Sequence, residues 1–113
     1  MNSIDQSFQE SISCYREMLD LYRRIQAAVT AGEPAAGLHE RIEKMKLIED
    51  EAREHDALIW KKAGEAGEMP TDNPLFYEWQ DLLSRVRSEN HAMQRRLRAA
   101  MAVIKDECRR IRE

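Results

Sequence analysis

The sequence predicts an all-α fold: an antiparallel three-helix bundle or coiled coil with a long C-terminal helix. Apolar residues recur every three or four positions, which places them on one side of an α-helix. Gly- and Pro-containing segments at residues 31–34 and 64–74 interrupt this pattern twice. The 113 residues are 35% charged and only 6% aromatic, which is typical of helical bundles. We therefore expect a single helical domain over residues 1–113 with a modest core.

The first helix is predicted over residues 3–31. Its apolar positions alternate in steps of four and three, as on the side of a helix that packs against other helices. Gly32 can end this helix, because glycine accepts the left-handed conformation common after a helix, and Pro34 can begin the next one. The apolar stripe consists of Ile4, Phe8, Ser11, Tyr15, Met18, Tyr22, Ile25 and Val29.

The second helix is predicted over residues 35–63. Apolar residues occupy two of its sides, so we expect it to contact two neighbours, as the middle helix of a three-helix hairpin would. The connection that follows ends in Asn73-Pro74, which reads as an N-cap followed by proline at the first helical position. The main stripe is Leu38, Ile42, Met45, Ile48, Ala52, His55 and Ile59, and the apolar residues elsewhere are Leu47, Leu58 and Trp60.

The third helix is predicted over residues 74–112 and is the longest. A helix of about 39 residues is near 58 Å long, whereas helices of about 28 residues reach only about 42 Å. About ten residues of helix 3 should therefore extend past the other two helices. The apolar stripe nevertheless continues to the end of the chain. It consists of Leu75, Trp79, Leu82, Val86, Asn90, Met93, Leu97, Ala100, Ile104, Cys108 and Ile111.

The protruding end of helix 3 is the main functional clue in the sequence. Its stripe would expose Ile104, Cys108 and Ile111 to water, and contiguous exposed apolar surface usually marks an interaction site. We therefore expect a partner at this end. Two alternatives stay open: helix 1 or the loop shifts to cover the stripe, or two copies pair as a homodimer with four or more helices.

Charge is unevenly distributed along the chain. Residues 94–113 contain seven basic and three acidic residues, a local net charge of +4, which leaves −7 for the rest of a chain whose total is −3. A basic helix could contact phosphate. Nucleic acid is nevertheless disfavoured, because the whole chain is acidic and this segment has no aromatic residue to stack on bases. Cations also suit the C-terminal end of a helix dipole.

Catalytic and metal-binding motifs are missing from the sequence. No GxSxG, Walker A, GxGxxG or HExxH motif occurs, so we predict no enzyme, no small-molecule substrate and no cofactor. None of His39, His55 and His91 follows a Glu by three residues, as in di-iron bundles. Glu51, Glu54 and His55 lie close on helix 2, but this spacing recurs by chance in glutamate-rich helices. No metal site is predicted, and His55 is expected to be a hydrogen-bonded core residue.

The two cysteines and the short apolar runs indicate the cellular compartment of the protein. Cys14 and Cys108 lie on or beside apolar stripes, where we expect them to be buried small hydrophobic residues. About 36 Å of helix axis would separate them, and a disulfide needs Cα atoms within about 7 Å. No apolar run is long enough to insert into a membrane, and the first ten residues lack the features of a secretory signal. We therefore expect a cytosolic protein without an internal disulfide.

Residues 10–60 carry a resemblance to a known family. The segment from Tyr15 to Tyr22 reads YREMLDLY and continues to the small-residue turn Ala31-Gly32-Glu33. The next helix contains LHERIEKMKLIE, from Leu38 to Glu49. This succession resembles the flagellar type III export chaperones of the FliT and FlgN kind.

The resemblance implies a small bacterial cytosolic chaperone without a cofactor or catalytic activity. Such proteins hold the helical end of an axial flagellar protein before its secretion and hand it to the export gate. In that family the terminal helix commonly contacts the client, and flexible methionine side chains suit such a role. An oligomeric coiled-coil scaffold or adaptor is the alternative function. The partner-binding residues implied here are Met93, Leu97, Met101, Ile104, Cys108 and Ile111.

Overall fold

The computed structural model describes residues 3–112, except for the side chains of Ala35, Ile104 and Arg112. It contains three α-helices, α1 (Ile4–Thr30), α2 (Ala35–Ala66) and α3 (Pro74–Arg112), and no strand within these residues. The predicted all-α fold is confirmed, and the long C-terminal helix is present. Within the described range, no helix is long and apolar enough to cross a membrane.

The helix ends follow local sequence signals. The Ser3 hydroxyl caps α1 by accepting a hydrogen bond from the Gln6 backbone N–H at 3.2 Å. Gly32, with φ of 70°, turns the chain after α1. At the end of α2, Gly64 stays helical and Gly67 takes the left-handed conformation with φ of 85°. The helix therefore ends at Ala66, three residues beyond the predicted boundary.

The central helix is α1, not α2 as the sequence suggested. α1 packs against both α2 and α3, whereas the backbones of α2 and α3 do not meet. The physical reason is that α1 buries residues on two sides, including Leu19 and Leu21 beside its main stripe. The off-stripe residues of α2 do not form a second buried face, because Leu47 is 71% exposed and Trp60, although its ring contacts Trp79 of α3, is 62% exposed.

The core is continuous along α1. At the end where the α2–α3 connection lies, aromatic rings join the helices: Phe8 packs edge-on against Trp79, with ring centroids 5.4 Å apart, and Trp79 meets Trp60 at 6.3 Å. Toward the other end the core contains mainly aliphatic residues and methionines together with Tyr22, and Met93 is the last buried side chain described on α3. The bundle measures 65 × 21 × 20 Å.

Candidate functional site

The end of α3 extends past the rest of the bundle, as the helix lengths predicted. The residues implied as partner-binding divide into two groups. Met93 is buried and Leu97 packs partly against the core, whereas Met101 is 56% exposed and Ile111 84% exposed. Cys108 is an exposed free thiol, so the expectation that both cysteines are buried is wrong for Cys108 and correct for Cys14. The Ile104 side chain lies outside the described part of the structure.

We call Leu97, Met101, Ile104, Cys108 and Ile111 the terminal seam. Their spacing is four, three, four and three, so they share one side of α3. Basic side chains surround the seam, and from Arg95 to Arg110 none of them forms an ion pair with another described side chain. This end of the molecule is therefore a basic helix with an uncovered apolar stripe. Val103, also exposed, lies off the seam and was not predicted from the stripe.

A polar cluster connects the three helices in the interior. Asp56 on α2 accepts hydrogen bonds from the Ser11 hydroxyl at 2.6 Å, from Trp79 Nε1 at 3.0 Å and from the Tyr15 hydroxyl. Trp79 Nε1 also lies 3.2 Å from the Ser11 hydroxyl oxygen. Burial, together with the bond to Asp56, raises the pKa of Tyr15 above its usual value. We call these four residues the Asp56 cluster, and its protonated Tyr15 acts as a structural hydrogen-bond donor.

A second polar site opens between α1 and α2. The pocket, about 300 Å³ in volume, is lined by Glu10, Ser13, Cys14, Glu17, Glu51 and His55, and we call it the His55 pocket. One donor atom from each of Cys14, Glu51 and His55 lies within 4.8 Å of the other two. His55 Nε2 is 3.8 Å from a Glu51 carboxylate oxygen. Burial, and then the nearby Glu51 carboxylate, raises the pKa of the Cys14 thiol to about 11.

The His55 ring departs from the sequence expectation. His55 was expected to be a hydrogen-bonded core residue, but it lies at the edge of the core with 18% of its side chain exposed. Its Nδ1 atom is buried and makes no hydrogen bond, although a Glu10 carboxylate oxygen lies 3.1 Å away. The distance suits an ion pair, while the direction of approach does not suit a hydrogen bond.

A pocket of about 450 Å³ with both apolar and polar lining residues lies where the α2–α3 connection meets both helices. Its lining includes Trp60, Met69, Phe76, Trp79 and Leu83. Trp79 lies on the predicted α3 stripe and is buried, as expected. Trp60 instead lies at the exposed edge of this pocket, and the backbone of α3 does not come close enough to α2 to cover it.

Comparison with known proteins adds no relative. No protein-family model, curated protein or solved structure matches the chain.

Proposed function

We propose that this protein is a non-catalytic helix-binding chaperone that uses the terminal seam to hold a helical segment of a partner. Because residues 10–60 resemble flagellar export chaperones, the client to test is the helical end of an axial flagellar protein, which would be held in the cytosol before secretion. The observation that carries the proposal is the exposure of Met101, Cys108 and Ile111 in steps that continue the core period of α3.

Burial of the seam would favour association. Covering one large apolar side chain contributes roughly 1.5 to 3 kcal/mol, so Met101 and Ile111 together are worth several kcal/mol before the entropy cost of association. A partner helix would also support the protruding turns. These turns are already helical as the continuation of α3, so a partner helix would bind a preformed surface there.

The charge beside the seam indicates which helix would fit. Arg98, Lys105 and Arg109 are exposed on the protruding end. A partner helix with an apolar stripe and flanking Asp or Glu would complement both features, since opposite charges across an interface speed association and favour the correct partner. Two copies of this basic end would repel each other in the same position. This repulsion favours binding of a different protein over self-association, on which the alternative function as an oligomeric scaffold depends.

The test compares three serine variants. In Met101→Ser/Ile111→Ser, two exposed seam side chains become polar, and we expect loss of binding with almost unchanged unfolding temperature. Leu47→Ser is the matched control, because Leu47 is an equally exposed apolar residue on α2. Ile25→Ser is the core reference: Ile25 is fully buried, so a hydroxyl there should destabilise the bundle strongly.

Binding is measured by titrating the full chain with the helical terminal segments of axial flagellar proteins, and association by light scattering. The proposal predicts at least a tenfold loss of affinity in the double variant and none in Leu47→Ser. Equal binding by the double variant and the parent contradicts the proposal. A parent that is dimeric in light scattering, and becomes monomeric in the double variant without binding any client segment, supports the oligomeric scaffold instead.

A further inference from the structure

We propose that the His55 pocket binds a zinc ion through Cys14, Glu51 and His55, with Glu10 as the fourth ligand. This site lies on α1 and α2, away from the terminal seam, and stands independently of the proposed function. No metal site was predicted from the sequence, because only the Glu and His residues of α2 were known to lie close together. The fold adds a thiol and a carboxylate from α1.

The ligands form two matched pairs. Glu10 and Cys14 are four residues apart on α1, and Glu51 and His55 are four residues apart on α2. Residues with this spacing are neighbours on one helix face. Because α1 and α2 pack against each other, the two pairs meet across one pocket. The result is a set of one sulfur, one nitrogen and two carboxylate groups, which are the ligand types of four-coordinate zinc sites.

The distances are close to those of a bound site. With Zn–N and Zn–O bonds of about 2.0–2.1 Å, neighbouring donors in a tetrahedral site lie about 3.3 Å apart, and sulfur lies somewhat further away. His55 Nδ1 and the Glu10 oxygen are already 3.1 Å apart. The Glu51 oxygen lies 3.8 Å from the other ring nitrogen, Nε2, so Glu51 must turn toward Nδ1 to share one ion with Glu10. The separations of up to 4.8 Å among Cys14, Glu51 and His55 need a contraction of about 1 Å. Glu51 is exposed, so a change of its rotamer can supply this contraction.

His55 provides an independent indication of a ligand. Buried polar nitrogens are almost always hydrogen-bonded, and Nδ1 of His55 is buried without a hydrogen bond. His55 lines the same pocket as Cys14 and Glu51. A metal ion would use the lone pair of this nitrogen. An ordinary i,i+4 Glu–His pair on a helix surface would not leave that nitrogen buried.

The charges in the pocket also favour a cation. Glu10, Glu17 and Glu51 line it, and no Lys or Arg is among the lining residues. A divalent ion would neutralise these carboxylates and stabilise a Cys14 thiolate beside them. Coordination displaces the thiol proton to solvent, so each bound ion releases one proton and no electrons are transferred.

The experiment uses the full chain with Cys108→Ser, so that Cys14 is the only thiol, and Co²⁺ as a spectroscopic probe. We expect thiolate-to-cobalt charge-transfer absorption that saturates at one ion per chain and disappears when Zn²⁺ is added. Cys14→Ala should abolish this absorption, and His55→Gln and Glu51→Gln should each weaken binding at least tenfold. Glu54→Gln is the matched control on α2, because Glu54 is exposed and outside the cluster.

Thermal unfolding provides a second readout. At a Zn²⁺ concentration about one hundred times Kd, the midpoint should rise by about 10 °C in the parent and not in His55→Gln. Circular dichroism checks that each variant is helical, and His55→Gln decides the question if Cys14→Ala fails to fold. Absorption that survives Cys14→Ala, or equal cobalt affinity in His55→Gln and Glu54→Gln, overturns the proposal. The absence of any charge-transfer band in the parent also overturns it.

Discussion

Replacing Asp56 with alanine should destabilise the bundle strongly, although Asp56 is only partly buried. Asp56 accepts hydrogen bonds from side chains on both other helices. In Asp56→Ala, Trp79 Nε1 keeps the Ser11 hydroxyl oxygen as acceptor at 3.2 Å. The hydroxyl groups of Ser11 and Tyr15 lose their hydrogen-bond acceptor, and both residues are buried.

The magnitude follows from the number of donors left without an acceptor. Each buried, unsatisfied donor costs about 1–3 kcal/mol, so two of them cost about 2–6 kcal/mol. Removing a partly buried carboxylate also relieves its desolvation, which places the expected loss near the lower half of that range, about 3 kcal/mol. A domain of this size has a total stability of about 5–15 kcal/mol, so the effect is large.

Urea unfolding followed by circular dichroism measures this loss as a lower midpoint with an unchanged m-value. Asp56→Asn is the matched control, since its carbonyl oxygen still accepts a hydrogen bond, and it should cost about 1 kcal/mol. In Tyr15→Phe/Asp56→Ala, the missing hydroxyl no longer needs an acceptor, so the double variant should lose at least about 1 kcal/mol less than the sum of the single variants. A loss below about 0.5 kcal/mol in Asp56→Ala would refute a structural role for the cluster.

Two further predictions concern a helix cap and a buried tyrosine. Asn73→Ala should cost about 1 kcal/mol and lower the unfolding temperature by several degrees, because Asn73 Oδ1 accepts a hydrogen bond from the Leu75 backbone N–H at 3.0 Å. Asn73→Ser should retain most of the stability, since its hydroxyl can also cap the helix. Equal unfolding temperatures of the two variants would contradict the capping role. Burial, followed by the charge of Glu49, raises the pKa of Tyr22 from 10.0 to about 12. The folded state therefore favours the protonated form. The contribution of this pKa shift to the free energy of unfolding is complete below pH 10 and is lost as the pH rises to 12. Urea midpoints should fall less steeply over this interval in Tyr22→Phe than in the parent, and parallel curves would contradict the prediction.

The helices were predictable from local signals, and their arrangement was not. Gly32 with Pro34, and Asn73 with Pro74, mark the boundaries because each residue has a specific backbone preference. The unequal helix lengths likewise predicted the protruding end of α3. An apolar face, however, does not say which helix will cover it. Leu47 and Trp60 therefore suggested a second buried face on α2, whereas the structure leaves both largely exposed and gives Trp60 a ring contact with Trp79 of α3.

The His55 pocket illustrates the same limit at a site. Glu51 and His55 are close in sequence, but their relation to Cys14 depends on the register between α1 and α2, which periodicity leaves undetermined. The matching four-residue spacing of Glu10 and Cys14 was the available signal. The Asp56 cluster was hidden for the same reason, since its members come from three helices. Ser11 on an otherwise apolar stripe was the visible hint.

The central position of α1 has a consequence for the order in which the chain folds and opens. The α1–α2 hairpin closes across a connection of only a few residues, whereas α3 returns to α1 through contacts such as Phe8 with Phe76, far apart in the sequence. Closing the shorter loop costs less entropy, so we expect the hairpin to form first and α3 to dock onto it. Since α2 and α3 share no backbone contact, α3 can also detach without disrupting the hairpin. Native-state hydrogen exchange should then show α3 amides opening at a lower free energy than those of α1 and α2.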